Sequence, residues 1–461
     1  MIFSSIPFLY YFLPLVLIFY YLTPRIGKNA VLLFFSLVFY AWGEPKYLAV
    51  MLFATLLGYG FGLCLERFPK QRKLLLFLSV ASSLSFLIYF KYANFFLENM
   101  NALGAHFTLL KLTLPVGISF YTFQILSYTV DVYRGDTRAQ RNPIDLACYV
   151  TFFPQLIAGP IVRYTDIAQQ LKTRGHNWDN LRQGTGRFLA GLGKKVLLAN
   201  LLGEICAAWR VTQDPSVLFS WLYAVSYTLH IYFDFSGYSD MAIGLGRMFG
   251  FSFPENFNYP YISRSITEFW RRWHMSLSSW FRDYVYIPLG GNRKGKARQI
   301  FNILVVWMLT GFWHGASWNF VFWGLWFALL LIVEKSFLLK TLDSSRVLGR
   351  VYVLLAVMLG FVLFDASSLS GAISCMGSLF GLAGIPGESA EGLYLLKSNA
   401  VLLCIAILGA TPLPKIALQK CESRFPKAAA VLVPIGEIML LALATACLVD
   451  GSYNPFLYFR F

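Results

Sequence analysis

Long apolar runs alternate with short polar loops along nearly the whole chain. A helix that crosses a membrane needs roughly 20 apolar residues. Several runs are shorter than this, so we expect about 11 true crossings, with the other runs tilted or re-entrant. The runs lie near residues 5–22, 29–42, 46–65, 74–91, 113–133, 190–209, 217–233, 299–311, 316–334, 351–366, 398–411 and 429–449.

Composition leads to the same interpretation. Hydrophobic residues make up 57% of the 461 residues and charged residues only 13%, whereas a soluble domain has roughly 25% charged residues. The mean hydropathy is +0.57. Because backbone polar groups in lipid must be satisfied internally, the crossing segments should be helices. The predicted fold is an all-α polytopic membrane protein, in which residues 1–461 form a single membrane-embedded domain.

The net charge of +16 arises mainly in the loops between apolar runs. This distribution is typical of cytoplasmic loops in contact with anionic lipids, and not of the basic soluble face of a nucleic-acid-binding protein. If the basic loops are cytoplasmic, the N-terminus faces outward. The seven cysteines form no CxxC pair and the histidines no HExxH spacing. We therefore predict neither a disulfide framework nor a metal site.

Residues 145–163 do not fit a straight helix. Pro154 and the Gly159-Pro160 pair would interrupt one, because proline removes a backbone donor and clashes with the preceding turn. Irregular backbone at membrane depth is tolerated where protein or water surrounds it. The segment is therefore predicted to be a re-entrant hairpin.

Residues 262–298 are too polar to span a membrane. If helical, they place Trp270, His274, Leu277 and Phe281 on one stripe, with Arg271, Arg272 and Arg282 on other faces. Aromatic anchors and a basic face are typical of an amphipathic helix lying in the membrane plane.

Four of the five histidines lie outside the apolar run that contains His314. His106 and His176 lie in polar connecting segments and are expected to be plain surface residues. His230 lies four residues before Asp234, so a same-face pair is expected. We favour a structural hydrogen-bonded pair there over the lining of a polar path. His274 belongs to the amphipathic segment described above.

His314 lies inside a strongly apolar run, between Gly311 and Gly315. The glycines allow close backbone approach or a break in the helix. Ionisable groups at membrane depth are costly and are therefore candidates for function. From the residues alone, two interpretations stay open: a neutral imidazole acting as general base, or a core histidine that bridges two helices.

Short motifs with distinctive residues occur in order along the chain. They are 114–124 (LPVGISFYTFQ), 127–134 (SYTVDVYR), 152–161 (FFPQLIAGPI), 233–242 (FDFSGYSDMA), 254–261 (PENFNYPY), 269–274 (FWRRWH), 310–318 (TGFWHGASW) and 453–461 (YNPFLYFRF). With these motifs the chain resembles the membrane-bound O-acyltransferase superfamily. The resemblance is to its bacterial branch of alginate and peptidoglycan O-acetyltransferases and teichoic acid D-alanyltransferases.

The resemblance implies a ring of helices around a thin centre with a central tunnel. It also implies acyl transfer from a cytoplasmic thioester to a hydroxyl on the other side. His314 matches the histidine at the tunnel centre, and His274 the second histidine on the cytoplasmic side. The resemblance implies that both are catalytic, with a structural or donor-positioning role still open for His274. In the mechanism we expect, His314 takes the proton of the acceptor hydroxyl as that hydroxyl attacks the thioester.

The donor thioester is expected to be acetyl-CoA or a phosphopantetheine-bearing carrier protein, with no permanently bound cofactor. The basic side chains of the amphipathic segment would bind its phosphates, although contact with anionic lipid is an equal alternative for them. Trp313, Asn256 and Asn258 are oxyanion donors by residue type only. The predicted donor-binding residues are Arg271, Arg272, Arg282, Asn256, Asn258, Trp270 and Trp313.

The predicted function is O-acetylation of an exported polysaccharide in a bacterial cytoplasmic membrane. The resemblance implies an extracytoplasmic partner of the SGNH-hydrolase type, and an acyl carrier protein if that is the donor. D-alanyl transfer to teichoic acid is the second candidate. A transporter or export subunit is the third, but it predicts an internal repeat that the sequence does not have. A scaffold subunit without catalysis also stays open.

Overall fold

The structure is a computed structural model that describes residues 1–450, the side chain of Asp343 excepted. The motif at 453–461 lies outside the described residues. The described part is helical and contains no strands, in agreement with the predicted all-α class. Proline or a capping side chain begins several helices. Asn142, for example, accepts a hydrogen bond from the backbone N–H of Ile144 at the start of a helix whose first residue is Pro143.

The α-helices are numbered α1 to α23 in chain order. They are α1 Leu13–Leu22, α2 Lys28–Gly43, α3 Leu48–Arg67, α4 Arg72–Leu87, α5 Ala93–Ala102, α6 Ile118–Arg134, α7 Pro143–Thr151, α8 Phe153–Leu156, α9 Tyr164–Lys172, α10 Trp178–Gly193, α11 Asn200–Val211, α12 Val217–Met248, α13 Ile266–Trp270, α14 Met275–Phe281, α15 Lys296–His314, α16 Trp318–Val333, α17 Leu339–Ser344, α18 Arg346–Asp365, α19 Leu369–Leu379, α20 Ala390–Ser398, α21 Ala400–Gly409, α22 Leu413–Arg424 and α23 Pro426–Val449.

Shorter helical turns extend several of these helices. Five are π-type, at Phe8–Phe12, Ile88–Tyr92, Lys194–Ala199, Arg282–Tyr286 and Glu334–Leu338, and four are 3₁₀-type, at Arg25–Gly27, Pro45–Tyr47, Pro69–Gln71 and Pro260–Ile262.

Six helical segments of the described chain are long and apolar enough to cross a membrane, or seven if the pair α20 and α21, bent by 58°, counts as one span. The expected number of about 11 crossings is therefore not confirmed by length and composition. Helix α6 shows why the two counts differ. It has only 17 residues, and it buries Gln124 and Asp131 together with several serines and threonines, which lower its hydropathy.

The described residues divide into two compact units. Unit 1 comprises residues 1–188 and 238–254, and unit 2 comprises 189–237 and the chain from 255 onward. The core of unit 1 includes the packed rings of Phe8, Phe12, Phe39 and Phe153. The core of unit 2 is built mainly from α11, α12, α16 and α18. That residues 1–461 form one domain stays a prediction.

The predicted interruption near Pro154 is present in unit 1. Helix α7 ends at Thr151 and the short α8 begins at Phe153, and residues 148–162 are all buried. Side chains satisfy the broken backbone. The Ser36 hydroxyl accepts from the N–H of Phe153 at 3.1 Å, and the Gln155 amide donates to the carbonyl of Tyr149 at 2.6 Å. Such bonds are what irregular backbone needs at membrane depth.

Candidate active site

His314 is positioned by the close crossing of α15 and α16 in unit 2. A Cβ added at Gly311 would lie 2.2 Å from the carbonyl oxygen of Phe320, and one added at Gly324 would lie 2.2 Å from that of Trp307. No side chain fits at such distances, so glycine is required at both positions. The close approach expected at Gly311 is confirmed.

Helix α15 ends at His314, and the chain leaves it in extended conformation at Gly315. The imidazole is partly exposed and lies within an aromatic cluster. Its ring centroid is 4.9 Å from that of Trp313, 5.0 Å from that of Trp323 and 5.1 Å from that of Phe364.

The continuous amphipathic helix predicted through His274 is wrong. The segment forms two short helices, α13 and α14, and His274 between them has a φ of 45°, in the left-handed region. Such a conformation is uncommon for residues other than glycine. The side chains of Trp270, Leu277 and Phe281 are buried as the predicted stripe requires, and His274 is only 1% exposed.

Asn256 determines which nitrogen of His274 carries hydrogen. Its side-chain oxygen accepts from Ser276 through the hydroxyl at 2.9 Å and the backbone N–H at 3.3 Å. Since a backbone N–H can only donate, the atom facing it is the amide oxygen. His274 Nδ1, 3.1 Å from the same oxygen, must then donate. Nε2 is left as an acceptor, buried and without a hydrogen-bond partner among the described residues.

Trp313 joins the two predicted histidines. Its ring lies 4.9 Å from that of His314 and 5.9 Å from that of His274. Phe235 packs edge-on against His274 at 4.7 Å. The structure therefore brings His274, Trp313 and His314 into one aromatic cluster, although the sequence separates the two histidines by about 40 residues.

A cavity of about 490 Å³ opens beside His274. Trp270, Arg271 and Arg282 line it together with His274, so three of the predicted donor-binding residues share one space. Arg271 is exposed, and Arg282 is paired with Asp283 at 2.6 Å.

Three other predicted residues have different surroundings. Arg272 donates to Glu268 at 3.0 Å and to the carbonyl of Asn258 at 3.2 Å. Asn258 is exposed, and its backbone N–H pairs with the carbonyl of Arg272. Asn256 holds His274 as described above. These three residues support the chain around His274, and none of them is among the residues that line the cavity.

Sequence reasoning missed Glu334, which anchors the start of α13. Its carboxylate accepts from the backbone N–H groups of Ile266 at 2.5 Å and Thr267 at 2.9 Å, and from the Thr267 hydroxyl at 2.8 Å. A carboxylate at a helix N-terminus also benefits from the helix dipole. In the sequence, this role is indicated by a single glutamate at the end of the apolar run of α16.

The remaining histidines follow the expectations in part. His106 is exposed as predicted. His176 is half-buried and bonds the Tyr20 hydroxyl at 2.6 Å, so describing it as a plain surface residue is wrong. His230 Nδ1 donates to the carbonyl of Ala199 at 2.6 Å and not to Asp234, so the hydrogen-bonded pair predicted for His230 and Asp234 is wrong. Asp234 forms a buried ion pair with Lys195 at 2.6 Å, which the sequence did not predict.

Burial lowers the pKa of His274 from its ordinary 6.5 to about 3. The folded protein therefore keeps this imidazole neutral, while the unfolded chain binds a proton below pH 6.5. The associated stability is present above pH 6.5 and is lost as the pH falls toward 3, by about 1.4 kcal/mol per pH unit. We expect His274→Asn, which tolerates a left-handed backbone, to lose less thermal stability than wild type between pH 7 and pH 5. The melting temperatures of the purified proteins are compared at several pH values over that range. An equal decrease for wild type and His274→Asn would contradict this assignment.

His274, Trp313 and His314 lie within a segment that matches a protein-family model. Residues 137–341 match the model described as MBOAT, membrane-bound O-acyltransferase family. The chain is 41% identical to the probable alginate O-acetylase AlgI of Pseudomonas putida, over the full length of both proteins. It is 32% identical to the peptidoglycan O-acetyltransferase of Helicobacter pylori, over 100% of this chain and 98% of the relative. It is also 32% identical to the teichoic acid D-alanyltransferase of Bacillus subtilis, over 54% of this chain and 68% of the relative.

Proposed function

Because the chain belongs to the membrane-bound O-acyltransferase family, we propose that it moves an acetyl group from a cytoplasmic thioester to a hydroxyl of a polysaccharide outside the membrane, with His314 as general base. The coarser assignment, a membrane O-acetyltransferase, follows from similarity over the whole chain to O-acetylases of polymers. The observation that carries the finer proposal is the cluster in which Trp313 contacts both His314 and His274.

In the proposed reaction, the acceptor oxygen attacks the thioester carbonyl while its proton passes to the His314 imidazole. The tetrahedral intermediate then collapses, the C–S bond breaks, and the proton on His314 passes to the leaving thiolate. The aromatic rings around His314 limit access of water, which would otherwise compete as acceptor.

His274 has a positioning role in this proposal. Its Nδ1 is occupied by Asn256, and burial keeps it neutral by lowering its pKa. Its Nε2 is therefore available to accept one hydrogen bond from the donor substrate in the adjoining cavity. The Trp313 ring lies between it and His314, so a substrate held at His274 would be held at a fixed distance from the proposed base.

Arg271 supplies a test of the donor-binding cavity. It lines the cavity and is exposed, so its guanidinium is available to a phosphate, which binds such groups through charge-assisted hydrogen bonds. We expect Arg271→Gln to raise the KM for acetyl-CoA by about tenfold with kcat unchanged.

Arg272→Gln is the matched comparison. It removes an adjacent positive charge whose donors already bind Glu268 and the carbonyl of Asn258. We expect the melting temperature of Arg272→Gln to be lower than that of wild type, and its KM for acetyl-CoA to rise less than that of Arg271→Gln. Equal increases in KM for the two variants would indicate a diffuse positive field and no specific contact by Arg271.

The donor is tested with inside-out membrane vesicles that contain the chain and its natural acceptor. Labelled acetyl-CoA supplied to the exposed cytoplasmic face should pass its label to the polysaccharide. Transfer that occurs only from a carrier-protein thioester of D-alanine would instead support the second candidate function, D-alanyl transfer to teichoic acid. The similarity to a teichoic acid D-alanyltransferase is the reason to consider it. Export of polymer without any acyl transfer would support an export subunit.

The proposal includes a location and partners. We place the chain in a bacterial cytoplasmic membrane with its N-terminus outside, because the loops at 163–187 and 264–298 are basic. An extracytoplasmic partner of the SGNH-hydrolase type would complete the transfer, and an acyl carrier protein would take part if it carries the thioester. Protease protection of tags at the N-terminus and in the loop 412–428 tests this orientation.

A further inference from the structure

A second cavity, of about 470 Å³, lies within unit 1. The last turn of α3, the loop 137–141 and helix α9 form its walls. Its charged lining consists of three cations, Arg138, Arg141 and Lys172, and one carboxylate, Glu66. The mechanism proposed above uses none of these residues.

Glu66 is already satisfied within the protein. Its carboxylate accepts from the backbone N–H of Ala139 at 2.5 Å and from Arg141 at 2.6 Å. This pair leaves the lining with two uncompensated positive charges, Arg138 and Lys172. Both side chains are exposed, and in the part of the chain that the structure describes neither donates a hydrogen bond. The positive lining of the cavity therefore favours binding of an anion.

Tyr164 adds a neutral donor to the same wall. Its ring is buried, and its hydroxyl accepts from the Gln140 amide at 3.0 Å. Burial, together with the nearby charge of Asp145, raises the pKa of Tyr164 to about 12. The hydroxyl consequently keeps its proton at neutral pH. A hydroxyl with two cations is a donor set that suits phosphate oxygens.

We propose that this cavity binds the phosphate of an anionic phospholipid head group. Its position supports a lipid as the source of the phosphate, because Glu66 lies one residue before the end of the apolar segment Pro45–Arg67. Two large apolar side chains near the cavity in sequence, Phe68 and Ile144, are exposed by 45% and 42%. Phe68 lies two residues from the lining residue Glu66, and Ile144 lies three residues from the lining residue Arg141. Apolar surface for acyl chains is therefore available close in sequence to the cavity, as a head group with lipid tails requires.

The test uses the purified full-length protein titrated with phosphatidylglycerol, with lipid adducts measured by native mass spectrometry. The double variant R138Q/K172Q should weaken phosphatidylglycerol binding by about tenfold or more. The matched control, K415Q/K420Q, removes two exposed cations of α22 and should bind as wild type. Equal affinity in R138Q/K172Q and wild type would overturn the proposal.

Two further arms identify what the cavity recognises. Tyr164→Phe leaves the charge unchanged, so a loss of affinity of about threefold or more supports direct contact, and unchanged affinity would overturn the assignment to this cavity. Phosphatidylcholine should bind weakly, and equally tight binding would contradict recognition of an anionic head group. Displacement of phosphatidylglycerol by an equal concentration of inorganic phosphate would overturn the lipid as the source.

Discussion

Replacing His314 by alanine should lower the initial rate of acetyl transfer in membrane vesicles by about 10²–10⁴-fold, the usual contribution of a general base. The reason is geometric as well as chemical. His314 ends α15 and its ring lies among those of Trp313, Trp323 and Phe364. The other histidine of the cluster, His274, lies on the far side of Trp313 and has its Nδ1 occupied by Asn256. The measurement is incorporation of labelled acetyl at equal membrane abundance of the folded proteins.

The control for His314 is an exposed histidine of the same chain. His106 lies in an exposed connecting segment, and His106→Ala should transfer acetyl at the wild-type rate. A His314→Ala protein that keeps the wild-type rate would reduce this histidine to a structural residue of the aromatic cluster. If His314→Ala is instead strongly impaired as expected, its residual rate measures the contribution of bringing the two substrates together.

Gly311→Val should produce little folded protein. An added Cβ would lie 2.2 Å from the carbonyl oxygen of Phe320, and valine adds two further methyl groups to it. Overpacking of this kind typically costs about 1–3 kcal/mol and sometimes more. Because backbone lies on both sides of the crossing, α15 and α16 would have to separate, and His314 would move with α15. Fluorescence-detected gel filtration and thermal melting measure the folded yield.

Gly436→Val provides the comparison for Gly311. Gly436 lies in α23, and a Cβ added there meets no atom within 4 Å. This variant should give a normal yield, because the added side chain meets no atom and valine has a slightly better helix propensity than glycine. Similar yields for the two variants would mean that the helix crossing tolerates a side chain at Gly311.

The sequence contained enough information to predict the elements that depend on local pattern. The apolar runs predicted helices because burial in lipid leaves the backbone no alternative. Pro154 predicted the interruption between α7 and α8 because proline cannot continue a helix. Gly311 predicted a close approach because a glycine on an apolar helix lets a second backbone pack directly against it. In each case one residue type restricts the backbone directly.

Features that depend on distant contacts could not be predicted in this way. The stripe through His274 fits a continuous helix, yet the pairing of the backbone at Asn256 with Met275 and of Asn258 with Arg272 turns the chain at His274. Glu334 caps α13 from 67 and 68 residues away along the chain. Helical periodicity indicates only which face of a helix is buried, so it cannot predict partners that are distant along the chain. The contact of Trp313 with both histidines likewise follows from tertiary packing.

The central claim, that His314 catalyses acyl transfer, is tested most directly by the number of acetyl groups per sugar in the exported polysaccharide. The measurement compares a strain lacking the chain, complemented with wild type or with His314→Ala, at equal abundance of the two folded proteins. The proposed mechanism predicts that His314→Ala restores the amount of polysaccharide but leaves it almost without acetyl groups. A polymer with the wild-type number of acetyl groups per sugar would contradict it.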